Sequence, residues 1–152
     1  MTTTHVGAKV LVPLDGSHDV RAALGPAAEI AAASAGELVL LVVVTSEFEK
    51  MVAEFSRTEH STAEQAASTY LYQVEDGLCG ELDDVVISRV IRTGDDPTGE
   101  ILRVAKDIDA TMIALTSHGY TGFKKLLLGS VAQAILHRSK VPVLLVPSVP
   151  DQ

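Results

Sequence analysis

Aromatic side chains make up only 4% of this chain, and tryptophan is absent. Any core must therefore be built from Val, Leu, Ile and Ala. Cysteine is scarce too. Cys79 stands alone, so no disulfide can form within the chain, and a reducing cytoplasmic setting is expected. Cys79 reads as a helix residue without a redox role. No apolar run reaches the ~20 residues that span a bilayer. The start, Met1-Thr2-Thr3-Thr4-His5, lacks the charged-then-apolar order of a signal peptide. Basic residues are few: 12 Lys and Arg against 20 Asp and Glu leave a net charge of −8. Such a surface repels nucleic-acid phosphates and anionic membranes, so neither partner is expected. Lys124-Lys125 is a local basic spot against that background.

What is present reads as globular. Hydrophobic residues are 47% and charged residues 21%, and 152 residues suit one domain spanning 1–152 with a core of its own. Val10–Leu14 is a short apolar run ended by turn chemistry at Asp15-Gly16-Ser17, so it predicts a buried strand. Asp15 or Ser17 is then placed to cap the following helix. That helix is expected to run to about Ala35 and stop at Gly36, with Gly25-Pro26 causing a kink or a late start. Leu38–Val44 is apolar at every position, as in a parallel strand covered on both faces. Within Glu47–Leu78 the composition predicts part loop and part helix, the helix at Thr62–Leu78. Val85–Ile91 predicts a third strand, with Val86 and Val90 on one face. Asp96-Pro97 reads as cap and first turn of a helix. Ala110–Leu115, Ser130–His137 and Val141–Val146 read as strand, helix and strand. Alternating strands and helices imply a parallel sheet with right-handed crossovers.

The segment Thr116–Ser130, TSHGYTGFKKLLLGS, follows one of these strands. It reads as a loop holding Gly119 and Gly122, and nine residues (Tyr120–Leu128) separate Gly119 from Gly129-Ser130 at a helix start. Glycine-rich backbone N–H groups leading to a helix N-terminus make a place for an anion, most often phosphate. Neither the Walker lysine motif nor the dinucleotide glycine pattern occurs.

This segment resembles the universal stress protein family. Its nucleotide-binding branch has Gly, two residues, Gly, nine residues, then Gly-Ser or Gly-Thr. Gly119, the spacer and Gly129-Ser130 match, while the first glycine position holds Thr116. Val10–Ser17, Leu38–Val44, Val90–Gly94 with Pro97, and Lys140–Val146 resemble other pieces of the family in the right order. The match covers about 8–148, with a poorly matched middle at Glu47–Asp83. The resemblance implies a five-stranded parallel sheet of order 3-2-1-4-5 with helices on both faces, Rossmann-like and akin to the adenine nucleotide alpha hydrolases. Ligands then bind where the strand order reverses, between strands 1 and 4. It implies that Gly119, Gly129, Ser130 and Val131 meet ribose and phosphates. Pro13 and Asp15 would meet adenosine, and the Val43 backbone the adenine.

Each candidate has a plainer role beside that one. Asp15 and Ser130 suit helix caps. Lys124 and Lys125 suit a solvated face as well as phosphate contact. His118 suits positioning of the glycine loop. The other histidines, His5, His18, His60 and His137, form no metal pattern, and no catalytic triad is defensible. Thr116 is β-branched: either its Cβ occupies ligand space, or its hydroxyl donates to the nucleotide. The implied function is a stress-response switch or adaptor that binds ATP or another adenine nucleotide, with or without Mg2+, and hydrolyses it slowly at most. Nucleotide would order Ser117–Leu128 and alter a surface seen by a protein partner. The last strand, Val141–Val146, would lie at a sheet edge, uncharged and guarded only by Pro142, so a homodimer through that edge is expected. One alternative is a nucleotide-independent homodimeric interaction protein of the same family, which Thr116 favours. The other is an adenine-nucleotide-using enzyme, which would need metal-binding carboxylates such as Asp95 or Asp96 beside the phosphates.

Overall fold

The alternation of apolar strands and amphipathic helices resolves into a doubly wound α/β layer structure. The computed structural model describes residues 7–16, 22–55, 62–78, 85–121 and 125–148. Ser17, His5, His18, His60, Cys79, Gly122 and Lys124 lie outside the described residues, as do the side chains of His118 and Lys125. The elements run β1 (Lys9–Leu14), α1 (Leu24–Ala33), β2 (Glu37–Val44), α2 (Ser46–Phe55), α3 (Ala63–Leu78) and β3 (Val86–Thr93). Then follow α4 (Pro97–Asp107), β4 (Met112–Thr121), β5 (Lys125–Leu127), α5 (Ser130–Arg138) and β6 (Val143–Pro147). Five strands form a parallel sheet in the order β3-β2-β1-β4-β6, the 3-2-1-4-5 arrangement.

Strand periodicity sorts the core. Val10, Val12, Leu38, Leu40 and Val42 pack on one face with Ala27, Ala31, Val52 and Leu71 from α1–α3. Leu11, Val39, Leu41, Ile113 and Leu115 pack on the other with Ile101, Val104 and Ile135 from α4 and α5. The central strands are buried on both sides, which is why Leu38–Val44 is a continuous apolar run. Among the described residues no helix is long and apolar enough to cross a membrane. Within β3, Val86 and Val90 fall on one face by strand alternation; Val90 packs on the α4–α5 face, while Val86, at the strand's start, is 64% exposed.

Several helix starts follow local chemistry. Asp96 accepts the Gly99 N–H at 3.0 Å with Pro97 in the first turn, as the sequence predicts. Thr62 and Gln65 form a reciprocal capping box that opens α3. Others differ from expectation. The first helix starts late, at Leu24, which puts Pro26 in its first turn, where the missing N–H is harmless. Its N-cap is Ala23, whose side chain makes no capping hydrogen bond. Gly129, not Ser130, is the N-cap of α5. The expected glycine loop is a β-hairpin: β4 continues past Leu115 to Thr121 and returns as β5, with His118 opposite Leu127. Ser117–Thr121 and Lys125–Leu127 are thus already in strands.

The end of α1 is also unlike its sequence signal. Gly36 was the expected terminator, yet Ala35 takes the left-handed conformation, φ 50°. Gly36 N–H donates to Ala31 O and Ala35 N–H to Ala32 O, a Schellman closure with alanine where glycine is usual. Gly36 is needed for another reason: a Cβ there would lie 2.0 Å from Ala8 O. Ala35 is exposed, so its methyl packs on little. Ala35→Gly should relieve about 1–2 kcal/mol of left-handed strain and lose ~0.4–1 kcal/mol to the freer unfolded chain. The expected net gain is roughly 0.5–1 kcal/mol, read as a rise in Tm of about 1–4 °C. A lower Tm would mean that the Ala35 methyl outweighs the strain.

Candidate functional site

The ladder between β1 and β4 is short. Val10 pairs with Met112 and Leu11 with Ile113, and there it ends, whereas β1 and β2 stay paired through Leu14 and Val42. The ladder to β4 stops before Pro13, which has no N–H to offer a neighbour. Beyond this point the sheet opens into a crevice of about 640 Å³, within the range of small-molecule sites. It lies at the carboxyl ends of the strands where the order reverses, the usual ligand position in such sheets.

Seven of the eight sequence-predicted site residues line this crevice. Pro13 and Asp15 come from the end of β1, Val43 from β2, and Thr116 from β4. Gly129, Ser130 and Val131 come from the start of α5. Gly119 is carried in the extended part of β4, and only its backbone course is described. Gly129 has φ −61° and ψ 157°, an ordinary extended conformation that leads straight into α5. The N–H groups of Ser130, Val131 and Ala132, in the first turn, have no partner within the helix and carry the positive end of its dipole. Ser130 is exposed and Ala132 buried.

Thr116 has a third role that neither sequence alternative included. Its Oγ1 accepts the backbone N–H of Ala23 at 3.0 Å. Ala23 is fully buried, so this N–H has no water to turn to. Where the family pattern has a glycine, this chain has a strut between β4 and the start of α1.

Sequence reasoning missed the wall supplied by α2. Phe48 and Met51 line the crevice, together with Glu47, Lys50 and Glu54. The available signal was the spacing of Phe48, Met51, Val52 and Phe55, one face of a helix. Gly16, at φ 88°, turns the chain after β1 close beneath Phe48 and Met51. Two caps hold α2 in place. Thr45 Oγ1 accepts the Phe48 N–H at 3.1 Å. Asp95, in the loop after β3, accepts the Ser46 N–H at 2.7 Å and the Ser46 hydroxyl at 2.8 Å. The Ser46 N–H, then its hydroxyl, and in smaller measure Lys50 hold the Asp95 carboxyl below its usual range. Asp95 and Asp96, the carboxylates an enzyme reading would assign to metal, both serve as helix caps. Among the described residues no three His, Cys, Asp or Glu side chains group to hold a metal ion.

The doubly wound parallel sheet, open at its switch point, places the chain among the Rossmann-like α/β proteins. Comparison with known proteins narrows that class. The profile of the Universal stress protein family matches residues 8–147. A universal stress protein of Mycobacterium tuberculosis is 33% identical over 142 residues, 90% of this chain and 44% of the relative. The chain therefore spans less than half the length of the mycobacterial relatives it matches. One from Methanocaldococcus jannaschii is 28% identical over 156 residues, 91% of this chain and 93% of the relative. Its solved structure superposes with a TM-score of 0.72 at 29% identity, over 94% of this chain and 97% of that one. A universal stress protein solved in complex with cAMP shares the fold, with a TM-score of 0.68 at 22% identity over 95% and 99% of the two chains. The chain belongs to the universal stress protein family.

The strut at Thr116 generates a stability test. Thr116→Val keeps the shape but strands the buried Ala23 N–H, and should cost about 1–3 kcal/mol in urea unfolding. Thr116→Ser keeps the acceptor and should retain most of that stability. Equal losses in both variants would assign the effect to packing of the Thr116 methyl.

Proposed function

We propose that this crevice binds an adenine nucleotide, ATP among the candidates, and that the protein acts as a stress-response switch or adaptor. The observation that carries the reading is the first turn of α5, whose N–H groups have no partner within the helix and edge a crevice at the sheet's switch point. The remaining surface suits the rest of such a ligand. Val43, Phe48 and Met51 offer apolar contact to a base, and Asp15 offers an acceptor for an amine or hydroxyl. The fold relative solved with cAMP is further support that this architecture accommodates adenosine. Any Mg2+ would be held chiefly by the nucleotide's own phosphates, and hydrolysis is slow at most.

A second reading, a nucleotide-independent interaction protein, draws on Thr116, which serves the fold where relatives in the nucleotide-binding pattern have glycine. Thermal unfolding with and without nucleotide separates the two. A ligand at 100 times its Kd should add about 2.7 kcal/mol of stability. Gly129→Val, compatible with an ordinary φ, should abolish the ATP-induced shift and leave the fold intact. A shift that survives Gly129→Val would put the nucleotide elsewhere, and no shift in either protein would favour the second reading.

Both readings share a homodimer through β6. Among the described residues β6 pairs only with β4, and Val143, Leu144, Leu145 and Val146 are half-buried and uncharged. A two-fold axis would run two such edges antiparallel. Sedimentation at micromolar concentration should give about twice the 16.1 kDa chain mass. Leu144→Lys should shift it toward the single chain, with circular dichroism confirming that the variant is folded. A dimer of unchanged strength in that variant would use another surface.

A further inference from the structure

Resting on the reading of the crevice as an adenine-nucleotide site, we propose that it selects nucleotides of low phosphate charge, a nucleoside monophosphate in linear or cyclic form, over the triphosphate. The helix α2 turns Glu47, Lys50 and Glu54 into the crevice at the i, i+3, i+7 spacing of one face, and Asp15 adds a third carboxylate. Among the described lining residues, three carboxylates thus stand against one ammonium. That ammonium is shared, because Lys50 also attracts Asp95 behind the helix N-terminus. The anion-binding device is the α5 N-terminus, equivalent to about half an elementary charge.

A phosphate monoester carries about two negative charges at neutral pH, and a triphosphate roughly double. One phosphate can sit on the first turn of α5. Each further phosphoryl group shares the cavity with the carboxylates and, among the described lining residues, meets no cation beyond Lys50. These charges are partly exposed, so screening decides whether they matter. A cavity of 640 Å³ is about 9 Å across if roughly cubic, close to the screening length of about 8 Å at physiological salt. The carboxylates and the added phosphates therefore feel one another.

Calorimetric titration of the whole chain with AMP, cyclic AMP, ADP and ATP in EDTA tests this. AMP or cyclic AMP should bind at least about tenfold more tightly than ATP at low salt, with ADP between. The ratio should shrink in ~0.5 M salt, where the screening length falls toward about 3 Å. The paired change Glu47→Gln with Glu54→Gln should lower the ratio further by strengthening ATP more than AMP. Both positions are exposed on α2, so the variant should fold, and either single change should move the ratio in the same direction. ATP binding as tightly as AMP, or a ratio indifferent to both salt and these changes, overturns the selectivity and leaves the adenine-nucleotide reading standing. No binding of any of the four overturns that reading and the selectivity with it.

Discussion

The two-residue ladder between β1 and β4 is the constraint from which the candidate site follows. Central strands of a parallel sheet ordinarily stay bonded along their length. Here they part after Leu11 and Ile113, and the sheet opens at the point where its winding reverses. Past that point each strand is paired on its outer side alone, β1 with β2 through Leu14 and β4 with β6 through Ser117. Thr116 spans the gap by accepting the Ala23 N–H, tying β4 to the helix that follows β1. The crevice and the strut are two consequences of one early-ending ladder.

The second organising feature is the set of caps around the crevice. Consecutive aspartates after β3 hold two different helices: Asp95 the start of α2, Asp96 the start of α4. The wall carrying Phe48 and Met51 therefore depends on a loop remote from it in sequence. The same wall brings Glu47, Lys50 and Glu54 to the crevice that the start of α5 also lines.

Local chemistry made much of the architecture legible. The apolar runs at Val10–Leu14 and Leu38–Val44 predict the buried strands because a two-sided parallel strand has no polar face to show. Asp96-Pro97 predicts a helix start because it satisfies that terminus with its own side chain. The lining of the crevice was legible in part: of the eight residues singled out, Pro13, Asp15, Val43, Thr116, Gly129, Ser130 and Val131 reach it from four separate elements. The hairpin was not legible. Gly119 and Gly122 have the composition of a loop, and only pairing with β5 extends β4 to Thr121. Ala35 misled for the converse reason: alanine rarely takes a positive φ, but the contact of Gly36 with Ala8 reserves the glycine for the next position.

Sequence by itself determined the family, the alternation of strands and helices, and the residues brought to the switch point. Those depend on periodicity and spacing within short segments, which any copy of the chain carries before it folds. Only the tertiary structure decided that Thr116 is a strut, because its partner is 93 residues away. It alone decided that α2 walls the crevice, because the carboxylate that anchors it is 49 residues from Ser46. Contacts across such separations leave no local pattern to read, and they exist only once the sheet has brought the ends of its strands together.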